Sequence, residues 1–185
     1  KIVDTLAAGG VRVLLQGGLH PDWGVEEAVR LVRAVKRHPI LLHGFSPPEI
    51  WHFAHRSGIA IGEAISRLRD AGLDSIPGGG GEILVDRVRQ RIAPLKAMSD
   101  DWLGVMDVAH RLGLRSSATM MFGPVETLAD EVQDVADKAL SSYSRELLYG
   151  LSDAERRTLQ LVEEAIHRYG TSVSASRVAS GERPF

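Results

Sequence analysis

Four short stretches concentrate the residue types that do chemistry. They are Gln16-Gly17-Gly18-Leu19-His20-Pro21, His43-Gly44-Phe45-Ser46-Pro47-Pro48-Glu49, Pro77-Gly78-Gly79-Gly80-Gly81-Glu82 and Met121-Phe122-Gly123-Pro124-Val125-Glu126-Thr127. Glycine runs bare the backbone, whose N–H and C=O groups can hold the amino or carboxylate end of a small ligand, and they also form plain turns. His20 and His43 can act as acid, base or hydrogen-bond donor, or serve as capping or solvated histidines. Glu49, Glu82 and Glu126 each follow a glycine or proline corner. Three carboxylates so placed could face one pocket, and each also reads as an ordinary acid at a helix N-terminus. His52 and His55, three apart on a predicted helix, could hold a metal; no third ligand is evident, so packing and surface roles are favoured and no metal site is assigned. Trp23, Trp51 and Trp102 share no spacing and are assigned to packing. The patterns of a phosphate-binding loop, a dinucleotide fingerprint or a Ser-His-Asp site are absent, and no catalytic residue is assigned.

The elements that must position these residues alternate. A helix end over Ile2–Ala8 closes at Gly9 and Gly10. Val11–Leu15 predicts a buried strand. Val25–Lys36 predicts a helix with one apolar face through Val25, Ala28, Val29, Val32 and Val35. Pro39–Leu42 predicts the second strand, Glu49–Arg56 and Ile61–Ala71 the next helices, and Leu73–Ile76 the third strand. A helix is expected from Glu82 to Ile92, and another capped by Ser99 and running to Leu112. Leu114–Phe122 predicts a fourth strand on which Met120 and Met121 alternate faces, so that one of them joins the core. Helical pattern resumes at Leu128. Strands alternating with helices argue for parallel βαβ units, whose ligands collect at the carboxyl ends of the strands. All four strand ends carry the unusual residues, and this convergence marks the site. Residues 136–149 and 152–169 read as two further helices, and residues 171–185 as a disordered tail.

The 185 residues suffice for a real core, and the net charge of −2 gives no reason to expect a nucleic-acid partner. No apolar run approaches the roughly 20 residues that span a bilayer. The sequence holds no cysteine, which excludes disulfides and thiolate ligands within it. A soluble, cytoplasmic setting is expected. The sequence opens in mid-pattern without a Met, which reads as an internal start.

The stretches LLQGGLHPDWGVEEAVRLVRAVK, HGFSPPEI, LRDAGLDSIPGGGGEILVDRVRQRI and AHRLGLRSSATMMFGPVETL resemble successive pieces of the radical S-adenosylmethionine enzymes of the futalosine route to menaquinone. The branch most resembled cyclises dehypoxanthine futalosine; aminofutalosine synthase and the deazaflavin precursor synthases are its relatives. The resemblance covers about residues 1–134. It implies an α/β fold, a partial (βα)6 TIM-like barrel, incomplete here and followed by a helical tail. It also implies S-adenosylmethionine and a [4Fe-4S] cluster that cleaves it to a 5′-deoxyadenosyl radical, and a small nucleoside substrate. By motif, Gln16, Gly17 and Gly18 match the glycine motif near the cofactor's methionine amino group. Ser46, Gly78, Gly79, Gly80 and Glu82 match cofactor positions at the barrel mouth, and His20, His43, Glu49, Met121 and Glu126 match substrate positions.

Three departures accompany the resemblance. The family's CxxxCxxC loop precedes its glycine motif and is not in this sequence, so these 185 residues alone are expected to be inactive. Pro124 stands where the family carries a histidine. Residues 136–185 do not resemble the family's later strands. The resulting expectation is a fragment of a radical enzyme whose unpaired strand edges favour self-association. The alternative is a cluster-free module that binds a nucleoside-like ligand.

Overall fold

The computed structural model describes residues 1–121 and 126–142. Helix α1 (Ile2–Ala7) leads through Gly9, at φ +80°, into β1 (Arg12–Leu15). Then follow α2 (Val25–Val35), β2 (Leu41–Gly44), α3 (Pro47–Ser57), α4 (Ile61–Asp70), β3 (Ser75–Ile76), α5 (Asp86–Ile92), α6 (Ser99–Arg111), β4 (Arg115–Ser116) and α7 (Leu128–Ser142). The strands form one parallel sheet in the order β1-β2-β3-β4. Parallel neighbours need crossovers, and the helices supply them.

One face of this sheet is covered. Leu42 and Ile76 are fully buried there, with Val13 and Leu15 packed against the same core. The apolar stripe of α2 meets them through Val25, Ala28, Val29, Val32 and Val35, all buried. Helix α3 contributes Ile50, Phe53 and Ala54, and α4 contributes Ala64, Ile65 and Leu68. The other face is open: Arg12, Leu14, Leu41 and Arg115 are exposed. Side chains alternate along a strand, so a one-sided sheet carries two distinct sets of residues.

At the start of β2 and β3, Asp74 ties the sheet together. Its Oδ2 accepts from the Leu42 amide at 2.7 Å and from Lys36 Nζ at 2.8 Å. Two prolines open α3, where missing N–H groups cost nothing.

Several expectations are corrected. The second strand lies at Leu41–Gly44, not Pro39–Leu42; His43 and Gly44 pair with Leu14 and Leu15 of β1. The helix expected from Glu82 begins at Asp86. Glu82 O accepts from Met121 and Leu84 N donates to Asp134, so tertiary partners take the backbone groups a helix would use. Ser99 is the first residue of α6 rather than its cap, and its hydroxyl donates to Asp86 Oδ1 at 2.6 Å. The fourth strand is Arg115–Ser116 only, because beyond it the chain bends toward Gly78. Neither methionine joins the core: Met120 is half-buried and Met121 is 45 % exposed. Of the helix expected over 136–149, residues 136–142 belong to α7, which starts at Leu128, and residues 143–149 lie outside the described residues. Gly123, Pro124, the helix expected over 152–169 and the tail lie outside the described residues. Among the described residues, no helix is long and apolar enough to cross a membrane.

Candidate functional site

The carboxyl ends of the strands meet at the glycine tract. Each glycine there borders a different neighbour, most tightly at Gly78, where the neighbour is backbone. A Cβ on Gly78 would overlap Ser117 O and lie 2.7 Å from Ala118 Cα, at the end of β4. One on Gly79 would strike Gln16 Nε2, after β1. One on Gly80, at φ +74°, would lie 2.5 Å from Pro48 Cγ, and one on Gly81 would lie 3.1 Å from the Trp102 ring. The tract is therefore a hub, and Gly78, against backbone, and Gly80, at positive φ beside Pro48, are the positions where close approach requires glycine.

Hydrogen bonds lock the hub. Gly78 N–H donates to Ser117 Oγ at 3.2 Å, and Thr119 Oγ1 donates to Gly78 O at 2.7 Å. Trp102 Nε1 donates to Gly79 O at 3.2 Å. Arg89, fully buried, donates to Gly80 O at 3.0 Å and Ile83 O at 3.2 Å, and twice to Ala97 O. Burial pulls this guanidinium below its ordinary value, opposed by Glu82, Asp86 and Asp134. Glu82 pairs with Lys96 through Oε1 at 2.6 Å; its buried Oε2 lies 3.9 Å from Arg89 and accepts no hydrogen bond among the described residues.

Glu49 joins the first two strand ends. It is 2 % exposed. Its Oε1 accepts from the amides of Gly17 at 2.8 Å and Gly18 at 3.1 Å. Its Oε2 accepts from Ser46 N at 2.8 Å and Ser46 Oγ at 2.7 Å. The N–H groups of Gly17 and Gly18 are thus spent inside the protein. Among the described residues no peptide bond is cis, so the carbonyls of Gln16 and Gly17 point away from Glu49. The loop is exposed, and these carbonyls meet no donor among the described residues. They fit an ammonium group better than an anion. Next to Ser46, buried Phe45 holds φ 59° with its ring edge-on to Phe53, a strained backbone at the strand end.

The open sheet face carries a polar row. The register sets Leu14, His43, Ser75 and Arg115 side by side. His43 Nδ1 lies 2.7 Å from Ser75 Oγ, and Nε2 lies 3.3 Å from Ser117 Oγ. Burial lowers the His43 pKa below 6.5, and the charge of Arg12 adds to this; the Ser75 backbone opposes it. The folded environment thus favours the neutral ring. As pH falls through 6.5, the unfolded chain takes up the proton before the folded one, so this group makes stability fall with pH. An NMR titration of the His43 ring is expected to show a midpoint below the ordinary value, raised in Arg12→Ala. An unshifted midpoint in that variant would remove Arg12 as a cause.

The structure brings Gln16, Ser46, Glu49 and Gly78 to Gly81 together at the hub. His20 lies on the exposed side of the loop, its ring 5.4 Å from Trp23 and its carbonyl accepting from His52 Nε2 at 2.8 Å. His55 stacks on Trp51 at 3.8 Å. Glu126 is half-buried just before α7, and Met121 is exposed near Glu82. Glu49 and Glu82 both turn toward the chain's own donors rather than toward one another's pocket. Among the described residues, no group of three ligating side chains could hold a metal. Sequence reasoning missed Arg12, Ser75, Arg89 and Ser117. Ser75 was visible only as a small polar residue before the tract, Ser117 only as one on the expected fourth strand, and Arg89 only as one arginine in an arginine-rich helix.

Residues 1–139 match the Radical SAM superfamily. The chain belongs to that superfamily. It is 39% identical over 135 residues to the cyclic dehypoxanthine futalosine synthase of Streptomyces coelicolor, covering 72% of this chain and 34% of that one. It is 39% identical over 137 residues to a 5-amino-6-(D-ribitylamino)uracil–L-tyrosine 4-hydroxyphenyl transferase of Methanosarcina barkeri, covering 73% and 36%. The corresponding transferase of Synechocystis is 43% identical over 134 residues, covering 69% and 34%. This radical SAM chain spans about a third of the length of these curated relatives. The superfamily implies S-adenosylmethionine and a [4Fe-4S] cluster. The strand-end carbonyls suit the first, whose methionine end carries an ammonium. The second does not fit these 185 residues, which contain no cysteine thiolate.

Proposed function

We propose that this chain is the strand-end half of a radical SAM enzyme that cyclises dehypoxanthine futalosine in menaquinone biosynthesis, its sheet forming part of a (βα)6 barrel. The observation that carries the reading is the hub itself: the QGG loop, the SPPE corner and the GGGGE tract of a superfamily chain converge at the carboxyl ends of parallel strands. The Gln16 and Gly17 carbonyls would hold the methionine ammonium of S-adenosylmethionine, which when bound supplies a 5′-deoxyadenosyl group. Glu49 keeps those carbonyls outward, and Gly79 packs directly against the Gln16 and Ser46 side chains. Neutral His43, flanked by Ser75 and Ser117, would accept a hydroxyl proton from a nucleoside sugar on the open face. The cluster's thiolates are inferred to come from sequence outside these residues.

A second reading has its own support. Identity to the two transferases equals or exceeds that to the futalosine synthase, so an aminouracil–tyrosine coupling is the rival reaction. The lack of cysteine supports a third, the cluster-free nucleoside-binding module. The test uses the full-length, cluster-reconstituted protein with S-adenosylmethionine and each substrate set, followed by mass spectrometry. Formation of 5′-deoxyadenosine with a cyclised nucleoside supports the first reading. A tyrosine adduct of the ribitylaminouracil supports the second. A full-length gene without a CxxxCxxC upstream of Gln16 would leave only the third.

A further inference from the structure

Helix α7 carries a buried ion pair outside the hub. Asp134 is fully buried and Lys138 is 5 % exposed, with Nζ 2.6 Å from Oδ2. The two are four residues apart and so share one helix face. Their other contacts converge. Asp134 Oδ1 accepts from Leu84 N–H at 2.6 Å. Lys138 Nζ donates to Thr119 O at 2.7 Å and to Glu82 O at 3.3 Å. One ammonium thus spans the carbonyls of the two segments that leave β3 and β4. Those segments hold the glycine tract and the Ser117–Thr119 groups bonded to it.

Such a pair is a poor source of stability, because desolvating two charges offsets their attraction and apolar replacements often fold as well. Burial lowers the Lys138 amine and raises the Asp134 carboxyl, as that cost requires. What apolar side chains cannot do is bridge two carbonyls. We propose that Asp134 and Lys138 are positioning residues that fix the exit of the glycine tract against the end of β4, and thereby the geometry of the S-adenosylmethionine site. The proposal rests on the reading that this site takes S-adenosylmethionine.

The test uses the full-length, cluster-reconstituted protein, measuring thermal unfolding and the Kd for S-adenosylmethionine. The paired variant D134N/K138M removes both charges and the bridge to the carbonyls, while the amide oxygen introduced at position 134 keeps accepting from Leu84 N–H. Its Tm is expected near wild type, while its Kd rises by about tenfold, a loss of about 1.4 kcal/mol of binding. A purely structural pair would restore both together. Should that variant not fold, D134N/K138L, with a shorter apolar chain at 138 and the same acceptor for Leu84, is measured in the same way; the same split is expected. A wild-type Kd in either folded variant overturns the positioning role alone. A wild-type protein that does not bind S-adenosylmethionine overturns the site reading and this role with it.

Discussion

Replacing Glu49 by alanine is expected to cost about 3–5 kcal/mol and to abolish S-adenosylmethionine binding. Three backbone amides and one hydroxyl donate to this one buried carboxylate; alanine strips all four of this acceptor, and the Ser46 N–H and hydroxyl are buried away from water. Charge-assisted bonds to a buried acceptor are among the stronger ones, and a domain has only about 5–15 kcal/mol in reserve. Released from Glu49, the Gly17 and Gly18 peptides can rotate, and the carbonyls of Gln16 and Gly17 lose their fixed outward direction. Glu49→Gln keeps one carbonyl acceptor and sets an amide NH2 against the remaining donors, so an intermediate loss is expected. Urea unfolding of the full-length protein checks both. A loss below about 1 kcal/mol for Glu49→Ala would mean that these bonds carry little of the fold.

Gly78→Ala is expected to cost about 3 kcal/mol or more, the range of severe overpacking. The added Cβ would overlap Ser117 O and approach Ala118 Cα, both backbone atoms that no rotamer change can move. The end of β4 must shift, which strains the Gly78–Ser117 and Thr119–Gly78 bonds. Ser117 then draws away from His43 Nε2, so the His43 titration midpoint is expected to move along with stability. Gly104→Ala is the internal comparison. Nothing lies within 4 Å of its added Cβ in α6, and a gain of about 0.5–1 kcal/mol is expected from the helix-favouring residue. Equal effects at the two positions would show that close packing at Gly78 is not what requires glycine.

The hub was legible as a set of places and not as a set of roles. Gln16 to Gly18, Ser46, Glu49 and the four glycines all proved to meet, because strand-to-helix corners of parallel units fall at one end of a sheet whatever their chemistry. Their partners were not legible. Glu49 looked like one more acid in a helix first turn, and nothing local shows that its carboxylate reaches amides 31 and 32 residues away. Asp134 and Lys138 have the spacing of an ordinary exposed pair; only the packing of α7 against the ends of β3 and β4 buries them.

Local pattern by itself determined the alternation of strands and helices, the apolar faces of α2 and α4, the prolines opening α3 and the corners where the site lies. Each follows from periodicity or backbone restriction within a few residues. Tertiary structure alone decided where the helix after the glycine tract begins, how short β4 is, and that His43 stands neutral between two serines. Those outcomes depend on which distant donor or acceptor reaches a backbone group first, and on how much water the packing leaves around a ring. Neither quantity is set by a residue's neighbours in sequence.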